Sequence, residues 1–356
     1  MKTSMSDKTN EINPNPPDDT NNNKNYGSKT MNTDDGANIP PDRRGQPGEP
    51  DILPFPTIEQ ARVSSLGNLT AAVLIFLVTG LRRWGIGHAI VRRLTRDGHV
   101  AYVIERDSAG EEVAREILAA GGRVQFILGD AADEKTMEAV MDRIHRDHGR
   151  LDGVVANAGW AGPPGRDNLR DLDAAGWEQL WRANFLSAAV TVTAAIKRFF
   201  TSQPSGGRCV FMGSVSGRAG HPGQVAYGAA KAALSPLNRS IAADHGRKVS
   251  SFLLVLGAIL TQSPNWGARQ LIDKDYAWLE GLAYPSGRLA TADEVADLVA
   301  WLLTSPEAAL LSGTEPPADF GSQNVGYLLP EGASLDRDAK VRAMRRLLKD
   351  KDEEAA

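Results

Sequence analysis

The chain has 356 residues, 42% of them hydrophobic and 24% charged, enough for one large domain or two small ones beside a polar tail. With 40 Lys+Arg against 44 Asp+Glu the formal net charge is -4, so the basic excess that nucleic-acid backbones demand is missing and no nucleic-acid partner is expected. A single cysteine, Cys209, excludes an internal disulfide framework and a cysteine-cluster metal site; inside the run Arg208-Cys209-Val210-Phe211 it reads as a buried thiol in a strand.

Residues 1 to about 50 are dense in Asn, Asp, Pro, Lys and Thr, with Tyr26 the only aromatic side chain, and are expected to be a disordered tail. No charged-then-apolar signal pattern opens the chain, so a cytoplasmic location is expected. Residues 51–65, with Pro54, Phe55 and Pro56, read as an ordered approach over the domain surface. The longest apolar stretch, Ala71 to Val78, falls far short of the roughly 20 residues that cross a bilayer, so it is a core strand candidate and no membrane partner is expected.

From 66 to about 330 short apolar runs alternate with helical stripes, the pattern of βαβ units on a parallel sheet. The predicted strands are Ala71 to Val78, Val100 to Ile104, Val124 to Leu128, Gly153 to Ala156, Cys209 to Met212 and Phe252 to Leu256. Ile86, Ile90 and Leu94 mark a helix between the first two, and Val113 and Ile117 one between the next two. The fold class is therefore α/β: a Rossmann-like, doubly wound parallel sheet flanked by helices in a single domain. Residues 331–356 carry balanced charge around Val341, Met344 and Leu348 and read as a surface helix.

The first strand runs into Thr79-Gly80-Leu81-Arg82-Arg83-Trp84-Gly85-Ile86-Gly87, and a helix opens at once. Glycines there permit a tight turn and bring main-chain N–H groups to a pyrophosphate at the positive end of the helix, which makes Gly80, Gly85, Ile86 and Gly87 cofactor candidates. At the end of the second strand Glu105 is placed to accept hydrogen bonds from ribose hydroxyls, which favours NAD; Arg106, Arg82 and Arg83 are within reach of a 2′-phosphate, which keeps NADP open. Tyr227 and Lys231 lie four apart and share one helix face, with Ser214 thirteen residues earlier at a strand end. A phenol titrates near 10 and needs adjacent positive charge to exchange protons near neutrality; Lys231 supplies it.

These motifs together resemble the short-chain dehydrogenase/reductase family over roughly residues 66–330. Thr79-Gly80 to Gly87 resembles its cofactor loop, and Gly129-Asp130, with Ala131 following, its adenine-contacting acidic position. Ala156-Asn157-Ala158-Gly159 resembles the family's Asn-Asn-Ala-Gly, and Asn184 the helix asparagine of its tetrad. Ser214, Tyr227 and Lys231 fall at the family spacing, and Gly257-Ala258-Ile259-Leu260-Thr261 resembles the segment that fixes the nicotinamide carboxamide. Pro285-Ser286-Gly287-Arg288, Asp293-Glu294-Val295-Ala296, Gly313 and Asp319-Phe320-Gly321 resemble its closing segments.

The resemblance implies NAD(P)-dependent interconversion of an alcohol and a ketone on a small molecule. Tyr227 would exchange the proton, Ser214 would hold the substrate oxygen, Lys231 would bind the nicotinamide ribose and Asn184 a relay water. It also implies a homodimer or homotetramer built on helices within 184–200 and 227–244.

Three features depart from the family pattern: four residues rather than three between Gly80 and Gly85, Leu256 in place of a proline, and Ala156 in place of an asparagine. Trp266, Tyr276, Trp278 and Tyr284, with Trp160, are candidates for an aromatic substrate wall. His145, His148, His221 and His245 have no metal-ligand spacing, so no metal is expected. A nucleotide-binding regulatory protein without turnover, and a non-redox lyase or epimerase with a tightly held cofactor, are the competing readings.

Overall fold

The computed structural model describes residues 72–162, 167, 169–221, 223–261 and 285–324. The expected tail, approach segment and C-terminal helix, and Trp266, Tyr276, Trp278 and Tyr284, lie outside the described residues.

Strands β1 (Ile75–Thr79), β2 (Val100–Glu105), β3 (Arg123–Leu128), β4 (Gly153–Ala156), β5 (Gly207–Met212), β6 (Val249–Leu256) and β9 (Pro317–Ala318) form one parallel sheet in the order β3-β2-β1-β4-β5-β6-β9. The two short strands β7 (Ile259–Leu260) and β8 (Ala290–Thr291) pair with each other. Every residue of β1 and β4 is buried, as expected where helices cover both faces of a parallel sheet. Alternate residues of β1 enter different cores: Phe76 and Val78 join Ile90, Leu94 and Val299, while Ile75 and Leu77 join Tyr102, Phe200 and Phe211.

On the first face lie α1 (Ile86–Arg96), α2 (Ala109–Ala119) and α8 (Ala292–Thr304). A capping box of Thr291 and Glu294 opens α8, and hydrogen bonds from Arg288 and Thr291 hold the Glu294 carboxyl down at about 2. On the other face α3 (Glu134–His148) packs beside a long helix built from α4 (Ala174–Trp181), a π-turn (Arg182–Leu186), α5 (Ser187–Ala195) and a second π-turn (Ile196–Phe200). Then α6 (Val225–Ala232) and α7 (Leu234–His245) lead into β6.

All six predicted strands are present, the fourth with the expected bounds and the others with shifted ends. The first begins at Ile75 because Ala72 and Val73 are exposed; the fifth and sixth begin earlier, at Gly207 and Val249, through pairing between β5 and β6. The closing strand is the two residues Pro317–Ala318, held by Val255 and Leu256. Cys209 is fully buried, and burial pushes its thiol pKa far up. Among the described residues no helix is long and apolar enough to cross a membrane.

The strand order reverses between β1 and β4, whose neighbours β2 and β5 lie on opposite sides. A crevice opens there, at the carboxyl ends of the strands.

Candidate active site

At the end of β1 the chain turns through Gly80 at φ +85°. A Cβ on Gly87 would stand 2.0 Å from the Gly80 carbonyl oxygen and 2.6 Å from Asn157 Nδ2, so only glycine lets α1 start this close to the strand. No side chain caps α1 at Gly85 and no acidic residue stands in its first turn. The helix therefore presents an uncompensated positive end, which suits a pyrophosphate. Buried Thr79 accepts the N–H groups of Asn157 (3.0 Å) and Ala158 (2.9 Å) through Oγ1. Asn157 Nδ2 donates in return to the carbonyls of Thr79 (2.9 Å) and Gly80 (3.2 Å). The ends of β1 and β4 are thus stapled together.

Within the four-residue stretch between Gly80 and Gly85, Trp84 lies in the left-handed region at φ +60° and is 49% exposed. Its N–H donates to His88 Nδ1 (3.1 Å), a bond that needs a neutral imidazole, and burial pushes the His88 pKa down. Gly80, Gly85, Ile86 and Gly87 line the cleft, whereas Trp84 stands outside it. Trp84→Gly would relieve about 1–2 kcal/mol of left-handed strain against about 0.5–1 kcal/mol of added chain entropy. A small gain in melting temperature with unchanged nucleotide affinity is expected; weaker binding in a titration would make the indole part of the site.

Glu105 ends β2 with its carboxylate turned to the loop. Oε2 accepts from Leu81 N (2.9 Å), and Oε1 from Arg106 N (2.8 Å) and Asp107 N (3.1 Å). Oε2 keeps one lone pair for a further donor. Arg106 and Arg82 line the cleft beside it, Arg82 lying 3.7 Å from Asp107. Arg83 points elsewhere, pairing with Glu116 at 2.7 Å and Glu112 at 3.5 Å. Asp130 accepts from Ala132 N (2.9 Å) and pairs with Arg182.

After β5, Ser214 caps the 3₁₀ turn Val215–Gly217 by accepting Ser216 N at 3.1 Å. Helix α6 lies hard against this turn: a Cβ on Gly228 would stand 2.6 Å from the Ser216 carbonyl oxygen, and one on Gly217 2.9 Å from Ala232 N. That approach brings the Tyr227 hydroxyl close to Ser214. Burial raises the Tyr227 phenol above its ordinary value, and the Ser214 bond opposes the rise. Buried Lys231 donates from Nζ to the Met212 carbonyl (2.9 Å) and lies 5.7 Å from the Tyr227 ring centre. Loss of hydration pushes its ammonium down to about 8.

Asn184 lies within the first π-turn, 1% exposed. Its Nδ2 donates to the carbonyls of Trp160 (2.7 Å) and Leu180 (2.9 Å), and its Oδ1 accepts Trp160 N (3.0 Å). A Cβ on Gly159 would stand 2.8 Å from Asn184 Oδ1 and 3.2 Å from Lys231 Nζ, so this glycine leaves the space between them open.

Fifteen of the sequence candidates line one cleft: Gly80, Gly85, Ile86, Gly87, Glu105, Arg106, Asp130, Ala131, Asn157, Ala158, Gly159, Asn184, Tyr227, Lys231 and Thr261. Ser214 adjoins it through Tyr227. Gly257 donates its N–H to Ala318 (3.4 Å), and Ile259 packs into the first core while pairing with Ala290; neither is on the cleft wall. Sequence reading missed Ala183, Ser187, Met212 and Leu256, which also line the cleft. Ala183, Met212 and Leu256 carry no polar side-chain group and the Ser187 hydroxyl is spent on the Ala183 carbonyl (2.8 Å), so only the fold reveals them.

A family model described as enoyl-(acyl carrier protein) reductase matches residues 80–323, a span that holds the whole cleft. The chain belongs to the short-chain dehydrogenase/reductase family. Like its relatives in that family, this short-chain dehydrogenase/reductase is an oxidoreductase acting on CH–OH groups. It is 30% identical to the cis-4-hydroxycyclohexanecarboxylate dehydrogenase of Sinomonas cyclohexanicum over 257 residues, covering 69% of this chain and 95% of that protein. It is 32% identical to the 3-oxoacyl-[acyl-carrier-protein] reductase FabG of Escherichia coli, covering 67% and 93%. Among solved structures, a doubly substituted mutant of a Serratia marcescens short-chain dehydrogenase/reductase superposes with a TM-score of 0.60 at 28% identity, covering 70% of this chain and 98% of that one.

Proposed function

We propose that this short-chain dehydrogenase/reductase interconverts a secondary alcohol and a ketone on a small molecule, with NAD as its preferred cofactor and Tyr227 as the acid/base. The observation that carries the reading is the convergence of Tyr227, Ser214, Lys231 and Asn184 at one end of a cleft whose other end is an uncapped helix N-terminus. The bound nicotinamide supplies the hydride chemistry. Tyr227 gives its phenolic proton to the carbonyl oxygen in reduction and takes the hydroxyl proton in oxidation, while Ser214 donates to the same oxygen. Lys231, cationic below about 8, offsets the effect of burial on the phenol and binds the ribose. Both Nδ2 hydrogens of Asn184 are engaged, but Oδ1 keeps a lone pair toward the space beside Gly159, where a relay water would sit near Lys231.

The first-turn amides of α1 would hold the pyrophosphate, and Glu105 Oε2 the adenosine ribose. A fixed carboxylate at that position repels a 2′-phosphate, and two of the three neighbouring arginines have acidic partners. Thr261, Gly257 and Ile259 remain the proposed carboxamide segment, and Asp130 with Ala131 the adenine edge. Trp160, Met212 and Leu256 give the cleft an apolar wall, which supports a substrate with a ring or alkyl group beside its alcohol carbon. The relative that acts on a hydroxycyclohexane points the same way. Self-association through α5 and α6–α7 belongs to the same reading; on α5, Ala189, Val190 and Ala194 form an open groove with Met141 of α3 that charged residues such as Glu138 and Lys197 also line.

The test is a fluorescence titration of the tryptophans with NADH and NADPH, followed by cyclohexanone, ethyl acetoacetate and their alcohols as substrates. NADH is expected to bind about tenfold tighter or better, one charged contact's worth, with Glu105→Ala narrowing the gap. Tighter NADPH binding would reverse the cofactor preference, and binding of neither would remove the oxidoreductase mechanism.

A further inference from the structure

Asp167 is a fully buried carboxylate that the proton transfer above does not use. It comes from the segment after β4, yet its Oδ1 accepts the N–H of Ala226 (2.8 Å) and its Oδ2 the N–H of Tyr227 (3.0 Å). Its own carbonyl accepts the N–H of Val225 at 3.3 Å. Three successive amides of the first turn of α6 are therefore satisfied by one residue about sixty positions earlier in the chain. The helix has no cap of its own. Gln224, at the N-cap position, makes no capping bond, and its carboxamide oxygen is taken by the Ser216 hydroxyl.

We propose that Asp167 is a positioning residue for the acid/base: it locks the first turn of α6 and so fixes the Tyr227 hydroxyl against Ser214. The inference rests on Tyr227 being the acid/base. First-turn amides have no partners within their helix, and helix ends fray when nothing replaces those partners. Tyr227 is the third residue of α6, in that turn. From Gly228 onward the helix is fixed without help, Gly228 being seated on the Ser216 carbonyl and Lys231 tied to Met212. Among the described residues, the amides of the first three residues of α6 are held by Asp167. A small rotation of that turn is magnified at the end of a tyrosine side chain, and proton transfer is sensitive to displacements well below the size of an atom.

Asp167→Asn keeps the volume but turns an amide N–H₂ toward one of the two main-chain donors. Hydrogen exchange in the nucleotide-bound enzyme is expected to speed up at the Ala226 and Tyr227 amides and stay unchanged from Ala229 to Ala232. Turnover of ethyl acetoacetate, or of whichever ketone in the panel reacts fastest, is expected to fall about tenfold to a hundredfold in kcat, with KM and nucleotide Kd unchanged. Asp167→Ser, which reaches at most one donor, should show the same split and gives a second series if the asparagine variant folds poorly. Unchanged exchange at those amides, or wild-type kcat in either folded variant, would overturn the proposal. So would a loss that appears equally in kcat, KM and nucleotide affinity, since that marks general damage. Tyr227→Phe separates the two levels: if it keeps turnover the acid/base assignment fails, and if it is inactive while the Asp167 variants are normal only the positioning role fails.

Discussion

Tyr227→Phe is expected to lower turnover by about 10²–10⁴-fold, the range of a single general acid/base group, while the nucleotide binds as before. The substitution removes one oxygen and leaves the ring in its place on α6. Ser214 and Lys231 stay where they are, because Ser214 is held by Ser216 N and Lys231 by the Met212 carbonyl. The pH profile gives the sharper check. Alcohol oxidation needs the phenolate, so the wild-type rate should climb as pH rises through the Tyr227 pKa. Burial raises that pKa and the Ser214 hydroxyl opposes the rise, while loss of hydration pushes the Lys231 ammonium down to about 8. The climb is therefore expected at or above the ordinary phenol range. In the variant the climb should vanish. A phenylalanine enzyme that kept both its rate and its pH dependence would move the acid/base elsewhere.

Gly87→Ala should be the most damaging single methyl in the described part of the chain near the cleft. The added carbon would stand 2.0 Å from the Gly80 carbonyl oxygen, which is main chain and cannot rotate aside, and 2.6 Å from Asn157 Nδ2. Relief requires α1 to lift from β1, which breaks the Asn157 bonds to Thr79 and Gly80. A loss of about 2–3 kcal/mol in chemical denaturation is expected, at the upper end of overpacking, with nucleotide binding lost because the helix N-terminus has moved. Gly98→Ala is the control. Gly98 has φ +88° and nothing within 4 Å of a Cβ, so it should show about 1 kcal/mol of backbone strain and normal binding. Equal effects at the two positions would mean that close approach is not what Gly87 provides.

What was legible in the sequence follows from which residues announce themselves. The buried strands did, because two covered faces force apolar runs such as Ile75–Val78 and Val154–Val155. The grouping of Ser214, Tyr227 and Lys231 at the cleft did too, because phenol, amine and hydroxyl recur at spacings set by one helix turn and one strand end. Asp167 did not. Read locally it is one more acid in the polar run Arg166-Asp167-Asn168, and its partners are main-chain amides that no sequence pattern displays. Gly217 and Gly228 were similarly silent, since their reason is the backbone of another element. The longer loop was visible as a count of four residues, but only the fold shows Trp84 in a left-handed turn outside the cleft wall.

The π-turn at Arg182–Leu186 has a consequence for how this helix can change by insertion or loss of residues. A π-turn holds one residue more than the α-helical turn it replaces, and the helix on either side keeps its register. A chain that lost one residue here would close into an ordinary helix, with Leu180 before it and Ala188, Val192 and Ala195 after it still facing the core. Such a deletion is expected to leave the melting temperature nearly unchanged while the carboxamide of Asn184 swings away from Trp160; a large loss of stability would show that the turn serves the fold itself. The position of the Asn184 carboxamide beside Trp160 thus depends on the one extra residue of this turn.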